Sequence, residues 1–380
     1  MSAARSAGVG SSIEADPQAA GSAAAADAVS GCAPVRSVLL FAGGPHAASV
    51  EDVVAGARQQ VPGATIAAVG TPGVVSPEGE REGPAVVALA LSSAVTAVSA
   101  TAAPAEQPAD LGAKLAAELD GDRPRPALLF GPPGRLDDAA LTAFSAGLGT
   151  TMVAGGGLAQ HGRVAHAAAD EPVRTGDALA LRFDGGLAVL VGVSPGVRRF
   201  TPFAPVEDAG GGFLRRVGGK PPLAILDSAL RGRTDRPLVL VLVAPADAGE
   251  GRRERCLVRG ITGVDPTRGF LHVGPDIERG DRIAFGTLDS DAARQDLEAM
   301  VQEMRQELRG AVPVAALYLD CAGRGARLHG RPGTDAAILR AALGDLPIAG
   351  AQSSLEVGPF DGRLRVHYFT GVLALLSAPS

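Results

Sequence analysis

A strand, a helix and a second strand ending in glycine follow one another three times along this chain. The first copy runs from Val35 to Gly73, the second from Pro126 to Ala159 and the third from Val314 to Ser354. In a parallel β-α-β arrangement the loops after both strands lie at the same edge of the sheet, where small ligands commonly bind. The repeat therefore predicts α/β architecture with a ligand-facing edge marked by glycines.

Two segments between the copies have the pattern of antiparallel hairpins. Residues 177–196 contain two apolar runs joined by Asp184-Gly185-Gly186, and residues 256–274 contain two runs joined across Asp265-Pro266. Such turns between runs of strand length are typical hairpin signals. We therefore expect fold class α/β (mixed): two mixed-sheet α/β domains built around the recurring strand-helix-strand unit, with antiparallel hairpins. Residues 289–310 add an amphipathic helix, because their apolar side chains recur at helical spacing.

Composition divides the chain into a tail and two domains. Residues 1–34 are rich in Ala, Ser and Gly, and a segment with so few large apolar side chains predicts a disordered tail. The remaining chain is long enough for two domains. A polar, turn-rich stretch from Ser228 to Pro237 separates two copies of the unit from the third, so we place the domains at 35–232 and 233–380.

Charge and hydropathy argue against nucleic-acid and membrane partners. The formal net charge is −6, whereas a phosphate backbone requires a concentrated positive surface. The most apolar run, residues 85–105, is rich in Val, Ser and Thr and has fewer strong hydrophobes than a membrane-spanning helix requires. A long buried strand is the better prediction for that run.

Cysteine and histidine usage favours a cytoplasmic protein that carries no metal or cofactor. Three widely spaced cysteines cannot form a disulfide framework, and the N-terminal stretch lacks the apolar core of a signal peptide. The six histidines have no cysteine or carboxylate at ligand spacing. We therefore expect a reducing compartment, no metal site and no cofactor.

The loop "CAGRG", Cys321 to Gly325, is the strongest candidate for ligand binding. Its backbone N–H groups and the forked guanidinium of Arg324 would hold a carboxylate, although a solvated turn is the alternative. A catalytic thiolate at Cys321 would need a base, and no histidine is placed by sequence to act as one. We favour a structural or ligand-contacting cysteine, with a nucleophile and a redox sensor as the alternatives.

Other candidate contacts lie at glycine-marked strand ends or are charged residues in apolar surroundings. Glu356 and Arg259 belong to the second group, and for both a structural role is equally compatible with the sequence. The complete set of candidate ligand-binding residues is Cys321, Gly323, Arg324, Gly325, Gly350, Ser353, Glu356, Arg259, Gly155 and Gly156.

These motifs together resemble the FIST family of bacterial sensory and signal-transduction proteins. The resemblance rests on "LLFAGG", "AAVGTPG" and "VAGGGLA" in the N-terminal half, and on "LVRGITGVDPTRGFLHVG", "LYLDCAGRG" and "LPIAGAQSSLEVGP" in the C-terminal half. It implies tandem FIST N-terminal and C-terminal domains that bind a small molecule such as an amino acid. The family usually has Gly-Glu near two of these motifs, where Val74 and Leu355 each replace one member here.

The sequence and the resemblance together predict a small-ligand sensing protein. We expect it to bind a small metabolite, in particular an amino acid, to relay binding through contacts with a signalling protein, and to catalyse no reaction. No output domain is recognisable in the sequence, so the signal is expected to leave through a protein contact. Two alternatives come from other classes: an enzyme that uses Cys321 as nucleophile on a small substrate, and a scaffold or interaction protein.

Overall fold

The computed structural model of the 380-residue chain describes residues 6–119, 121, 123–169, 171–232, 237–246, 255–274 and 276–378. The described chain is mixed α/β, as predicted, and divides into two compact units. The first unit comprises Met1–Val193, Met300–Val366 and Gly371–Ser380, and the second comprises Ser194–Ala299 and His367–Thr370. Each compact unit thus consists of segments that are separated in the sequence, whereas each predicted domain is a single continuous segment with its boundary at 232/233. Residue 233 lies outside the described residues.

The α-helices and strands of the described residues are as follows, in chain order. The helices are α1 (Pro17–Ser30), α2 (Val50–Arg58), α3 (Pro108–Glu118), α4 (Asp138–Leu148), α5 (Pro222–Leu230), α6 (Ser290–Glu307), α7 (Gly325–His329) and α8 (Thr334–Leu343). The strands up to residue 199 are β1 (Ala7–Ser12), β2 (Ser37–Gly43), β3 (Thr65–Thr71), β4 (Gly73–Ser76), β5 (Gly79–Glu82), β6 (Ala85–Leu91), β7 (Val95–Ala100), β8 (Ala127–Gly131), β9 (Val153–Gly157), β10 (Val164–Ala167), β11 (Arg174–Gly176), β12 (Ala178–Phe183), β13 (Ala188–Pro195) and β14 (Val197–Arg199). The remaining strands are β15 (Ala204–Gly210), β16 (Phe213–Val217), β17 (Val239–Ala244), β18 (Leu257–Gly260), β19 (Gly263–Asp265), β20 (Phe270–His272), β21 (Arg282–Leu288), β22 (Pro313–Cys321), β23 (Ile348–Ser353), β24 (Glu356–Phe360), β25 (Arg363–His367) and β26 (Thr370–Ser377).

All three predicted strand-helix-strand units are confirmed. In each, the two strands pair in parallel: β2 with β3, β8 with β9, and β22 with β23. The helices α2, α4 and α8 lie between the paired strands in sequence. The amphipathic helix predicted at residues 289–310 is α6, and its face carrying Leu297, Met300 and Val301 is buried.

The first unit contains three six-stranded mixed sheets among the described residues, one for each copy of the repeat. Their strand orders are β1-β6-β2-β3-β10-β11, β25-β24-β9-β8-β12-β7 and β13-β26-β22-β23-β4-β5. One face of every sheet contributes to a shared apolar core that includes Phe41, Phe130 and Leu317. Phe41 and Phe130 meet edge to face with ring centroids 6.0 Å apart, an arrangement that aromatic pairs prefer.

The outer faces of the first two sheets are covered by helices through apolar contacts. Helices α1 and α2 pack on the first sheet through residues such as Ala24 and Val53, and α3 and α4 pack on the second through residues such as Leu115 and Phe144. Both layers bury mainly aliphatic side chains, as the composition predicts. The outer face of the third sheet also carries buried apolar side chains such as Leu373, but polar side chains replace them where β22 and β23 end.

The second unit is built on one antiparallel sheet. Its strand order is β18-β17-β21-β15-β16-β20-β19, and β14 also pairs with β21. The hairpin predicted across Asp265-Pro266 is confirmed, because β19 and β20 pair in antiparallel register on either side of that turn. The first strand of that sequence segment, β18, pairs with β17 instead.

The predicted disordered tail is wrong. Residues 7–12 form β1, which pairs with β6 over six residues, and residues 17–30 form α1, whose Ala20, Ala24 and Ala28 are fully buried. Gly21 lies so close to the backbone carbonyl of Val53 that a Cβ there would overlap it. Small residues therefore let two helix backbones approach closely, and this packing makes an Ala- and Gly-rich segment part of the core.

Two further expectations also need correction. The turn at residues 184–186 does not join a hairpin: β12 pairs with β7 and β8, whereas β13 pairs with β26 in another sheet. Residues 85–105 are not one long strand, because β6 and β7 belong to different sheets. In the described part of the chain, no helix combines the length and apolar character needed to cross a bilayer.

Candidate functional site

The third copy of the repeat carries polar side chains where the other two copies carry small ones. The positions equivalent to Asp320, just before the first strand ends, are Ala42 in the first copy and Gly131 in the second. The residue paired with Asp320 across the parallel strands is Gln352. In the other copies, glycines occupy that paired position. The C-terminal ends of β22 and β23 are therefore polar at a position where the other two copies of the repeat carry only alanine or glycine.

Arg324 lies at the centre of the charged side chains on this face. Its side chain is fully buried, and its Nε is 3.2 Å from Asp320 Oδ1. Both Nε and Nη2 lie 3.1 Å from Asp335 Oδ2. The guanidinium therefore bridges two carboxylates of its own chain, one on β22 and one in the first turn of α8.

A hydroxyl group and an imidazole ring also contact Asp335. The hydroxyl of Tyr318 donates to Asp335 Oδ2 at 2.8 Å, and His329 Nε2 lies 3.1 Å from Asp335 Oδ1. All of these side chains are almost entirely removed from solvent. Asp335 Oδ2 therefore accepts hydrogen bonds from Tyr318 and Arg324, while Oδ1 faces the imidazole of His329, and such contacts help a buried carboxylate to remain charged.

Glu80 joins the same cluster from β5, distant in sequence. One of its oxygens accepts the backbone N–H of Gly333, in the loop before α8. Ligand atoms of Glu80, Asp320 and Asp335 all lie within 4.8 Å of one another. We call Glu80, Asp320 and Asp335 the carboxylate trio.

The two buried aspartates have opposite electrostatic behaviour. Burial raises the pKa of Asp320 well above its ordinary value, and repulsion from Asp335 adds to this effect, while Arg324 opposes it. Burial also raises the pKa of Asp335, but Arg324 and the hydrogen bonds from His329 and Tyr318 outweigh it and lower that pKa below its ordinary value. Asp320 differs because neither of its oxygens accepts a hydrogen bond from the described residues. A second positive charge near Asp320 would therefore be strongly stabilised.

The predicted "CAGRG" loop contributes Arg324 to this cluster. The contacts given for its side chains are to other residues of the chain. Cys321 is 8% exposed, and its Sγ accepts the N–H of Gly323 at 3.5 Å. Gly325 adopts a φ of 53° and begins α7. Arg324 forks onto its own aspartates, so the expected bidentate contact with a ligand carboxylate stays a prediction that this geometry does not favour.

The candidate glycines at the strand ends serve close packing of the backbone. A Cβ on Gly155 or Gly350 would overlap a carbonyl oxygen of the neighbouring parallel strand, and a Cβ on Gly156 would overlap Ser353 Oγ. Ser353 in turn donates to the carbonyl of Leu355 at 2.6 Å. Glu356 is fully buried opposite Gly156 in the pairing of β24 with β9.

Arg259 belongs to the second unit, where its side chain contacts other residues of the chain. Its Nε donates to Asp276 Oδ2 at 2.6 Å, and its Nη1 donates to the carbonyl of Val258 at 2.9 Å. The guanidinium carbon lies 5.5 Å from the ring centroid of Tyr368. These contacts describe a structural arginine held between a carboxylate and an aromatic face.

A surface cleft of about 440 Å³ lies in the second unit. It is formed at the end of β21, between β14 and the start of β17. The cleft is lined by Arg198, Phe200, Pro237, Leu238, Thr287, Leu288 and Asp289.

The polar part of this cleft is an ion pair between Arg198 and Asp289. Arg198 Nη2 lies 2.8 Å from Asp289 Oδ1, and the two side chains are 54% and 28% exposed. Their hydrogen bond raises the pKa of Arg198 and lowers that of Asp289. Leu238 is 56% exposed at the apolar side. The cleft therefore offers a positive group, a negative group and an apolar wall within one small volume.

Sequence reasoning missed most of these site residues. A charged residue inside the apolar strand sequence "VAALYLDC" was the available signal for Asp320, because a strand buried on both faces ordinarily excludes carboxylates. His329 and Asp335 follow within the next fifteen residues, at the end of α7 and in the first turn of α8. Glu80, Arg198 and Asp289 carried no such local signal.

Comparison with known proteins identifies the class and then the family. The FIST N domain matches residues 36–220 and the FIST C domain matches residues 222–359. The chain therefore carries two tandem domains of a class associated with sensory signal transduction. It belongs to the FIST family, which confirms the resemblance seen in the sequence.

Mycobacterial relatives match part of the chain. Uncharacterized protein Rv0628c of Mycobacterium tuberculosis strain H37Rv is 33% identical over 237 residues, which cover 60% of this chain and 61% of the relative. Uncharacterized protein Mb0898c of Mycobacterium bovis is 31% identical over 214 residues, covering 54% of this chain and 55% of the relative. The chain thus spans less than two thirds of the length of either relative.

Proposed function

We propose that this FIST protein senses an amino acid with an apolar side chain, binds it in the cleft of the second unit, and relays the signal through contacts with another protein. No catalysis is involved. The observation that carries the proposal is the Arg198–Asp289 pair, with its Nη2 to Oδ1 separation of 2.8 Å, set in a cleft of about 440 Å³.

The cleft complements an amino acid in size and in charge. Small-molecule sites typically have volumes of about 300–1,000 Å³ and combine apolar lining with a few placed polar groups. A ligand carboxylate would pair with Arg198 and a ligand ammonium with Asp289, so the zwitterion replaces one ion pair by two. Phe200, Leu238 and Leu288 supply the apolar surface for the ligand side chain.

The cluster around Arg324 is a poorer place for a metabolite. Asp320, Arg324 and Asp335 are at most 1% exposed and contact one another directly. An amino acid would have to break these buried ion pairs, and leaving a buried charge unpaired costs about 3–5 kcal/mol.

The burial of Cys321 supports a role without catalysis. A nucleophilic thiolate must be reachable by its substrate, and reactive cysteines are partially exposed in electropositive surroundings. Cys321 is 8% exposed at the buried end of β22. A structural cysteine of this kind behaves as a small hydrophobe.

A thermal-shift screen against the standard amino acids tests the proposal. Apolar amino acids should raise the melting temperature, because a ligand that binds the native state stabilises it by mass action, by about 2.7 kcal/mol at 100 times its Kd. The Arg198→Gln variant should lose this shift. Arg294→Gln is a matched control, because Arg294 forms an exposed ion pair with Asp291 on α6 outside the cleft. Equal shifts in the wild type and Arg198→Gln, or no shift with any amino acid, would reject the cleft as the site.

A further inference from the structure

The carboxylate trio brings more negative charge together than the surrounding cations balance. Glu80, Asp320 and Asp335 contribute three carboxylates, and Arg324 contributes one guanidinium at 3.1–3.2 Å from two of them. His329 lies against Asp335, so even a protonated imidazole leaves one carboxylate unbalanced. Uncompensated charge of this kind is strongly unfavourable away from water, and a bound cation removes it.

Gln352 provides a second, independent indication of a ligand. It stands beside Asp320 in the register of β22 and β23, so both side chains leave the same face of the sheet. A Cβ built on Gly325 would lie 3.2 Å from Gln352 Nε2 and 3.4 Å from Glu80 Cγ, which places the carboxamide next to Glu80. The Gln352 side chain is 2% exposed, yet its Oε1 has no hydrogen-bond partner among the residues that the structure describes. Oε1 faces Gly73, where a Cβ would overlap it, and a half-turn of the carboxamide places the oxygen where Nε2 lies, on the side of Glu80.

The spacing of the oxygens fits a metal ion of ordinary size. Three atoms that all lie within 4.8 Å of one another leave a central point at most about 2.8 Å from each, which is 4.8 Å divided by √3. Ca²⁺ binds oxygen at about 2.3–2.6 Å with flexible geometry, whereas Mg²⁺ requires about 2.0–2.1 Å in a near-ideal octahedron. Small movements therefore suffice for Ca²⁺, and larger ones are needed for Mg²⁺.

We infer that Glu80, Asp320 and Asp335, together with the carboxamide oxygen of Gln352, bind one hard divalent cation, with Ca²⁺ preferred. All four donors are oxygens, the ligand type that hard cations select over thiolate and imidazole sites. Histidine and cysteine spacing in the sequence gives no sign of this site, because its ligands are carboxylates from distant segments. The inference rests on residues of the first unit and not on the proposed amino-acid cleft of the second unit, so either proposal can fail without the other.

A titration with metal alone tests this inference. The full chain is treated with a chelator, exchanged into metal-free buffer of constant ionic strength, and titrated calorimetrically with CaCl₂, MnCl₂ and MgCl₂. We expect one equivalent of Ca²⁺ to bind, more tightly than Mg²⁺, and to raise the melting temperature. Absence of binding by all three ions at millimolar concentration would overturn the inference, because a proton would then supply the missing positive charge.

Two variants on β5 separate a specific site from general surface charge. Glu80→Gln removes a ligand of the trio, whereas Glu82→Gln removes a carboxylate two residues further along that is 56% exposed and pairs with Arg327. Glu80→Gln should weaken Ca²⁺ binding by at least about tenfold, since even outer-shell changes cost about 10–100-fold in metal affinity. Glu82→Gln should bind as the wild type does.

Folding is checked by circular dichroism, and Asp320→Asn provides a second test if Glu80→Gln does not fold. Asp320→Asn should also weaken Ca²⁺ binding by at least about tenfold. Wild-type affinity in a folded Glu80→Gln or Asp320→Asn variant would overturn the inference, as would an equal loss in Glu82→Gln.

Discussion

Replacing Arg324 by lysine tests whether the buried charge cluster is as tightly connected as its distances indicate. The guanidinium reaches Asp320 through Nε and Asp335 through Nε and Nη2, at 3.1–3.2 Å. A lysine ammonium keeps the charge but is a single point that lacks the planar fork. It can approach one carboxylate closely, so the other loses its charge-assisted contact.

The expected loss of stability follows from that geometry. A hydrogen bond to a charged group contributes about 1.5–3 kcal/mol, so Arg324→Lys should lower the free energy of unfolding by about that amount. Arg324→Met removes the charge altogether and should cost about 3–5 kcal/mol, because it leaves buried carboxylates uncompensated. Both losses are a substantial fraction of the free energy of unfolding of a folded domain, which is usually about 5–15 kcal/mol.

Urea denaturation followed by circular dichroism, in the presence of a chelator, measures these values. The midpoint should fall while the m-value stays constant, which marks a change in stability alone. Arg174→Lys is the control, because Arg174 pairs with Glu171 across 3.4 Å with both side chains more than half exposed, and such pairs contribute at most about 1 kcal/mol. If Arg324→Lys unfolds at the same midpoint as the wild type, Arg324 does not bridge the two aspartates and the cluster is wrongly described.

Two further predictions concern the N-terminal segment and a buried histidine. Deleting residues 1–31 should lower the melting temperature by roughly 10 °C or more, because β1 and the buried face of α1 are lost. Each 1 kcal/mol of lost stability lowers the melting temperature by about 2–4 °C. An unchanged melting curve would show that this segment does not pack against the rest of the protein. Burial and the neighbouring Arg174 lower the pKa of His166 below 6.5, so the unfolded state binds its proton more readily and stability should decrease as pH falls below about 6.5. His166→Gln should flatten this decrease in pH-dependent urea melts, whereas the exposed His161→Gln should not; identical pH profiles would exclude His166 as the cause.

Much of the fold could be predicted because the strands and helices of the repeat are determined by patterns in their own short sequence segments. The strands of all three units are apolar runs bounded by glycine or proline, and the helices between them are amphipathic or alanine-rich, so sequence period and turn residues sufficed. Pairing between distant segments is not local. The turn at residues 184–186 has the right chemistry for a hairpin, but the strands beside it find better partners in two different sheets.

The N-terminal segment shows why composition alone misjudges order. A stretch of alanine, serine and glycine buries little area per residue, which ordinarily predicts disorder. Here the glycines allow backbone contact: a Cβ at Gly21 would overlap the Val53 carbonyl, and one at Gly56 would overlap the Gln18 carbonyl. The close approach of α1 and α2 is a tertiary property that no window of sequence contains.

Of the candidate sites, only Arg324 and its loop could be predicted from the sequence. The "CAGRG" loop was recognised, and Arg324 does lie at the centre of a polar cluster. The partners of Arg324 depend on which strands pair, and Glu80 reaches the cluster from a strand more than two hundred residues earlier. The Arg198–Asp289 pair depends likewise on the pairing of β14 with β21, for which the sequence carries no signal.

Calorimetric titration of the cleft with matched ligands tests the central claim most directly. An apolar amino acid that is active in the thermal screen is compared with its 2-hydroxy acid, which lacks the ammonium, and with its decarboxylated amine, which lacks the carboxylate. The account predicts one site in the wild type, with affinity at least about tenfold weaker for either analogue, since each loses a charge-assisted contact. It also predicts that Arg198→Gln binds the amino acid and the amine equally weakly. Undiminished binding of the amine by the wild type, or of the amino acid by Arg198→Gln, would contradict recognition by the Arg198–Asp289 pair.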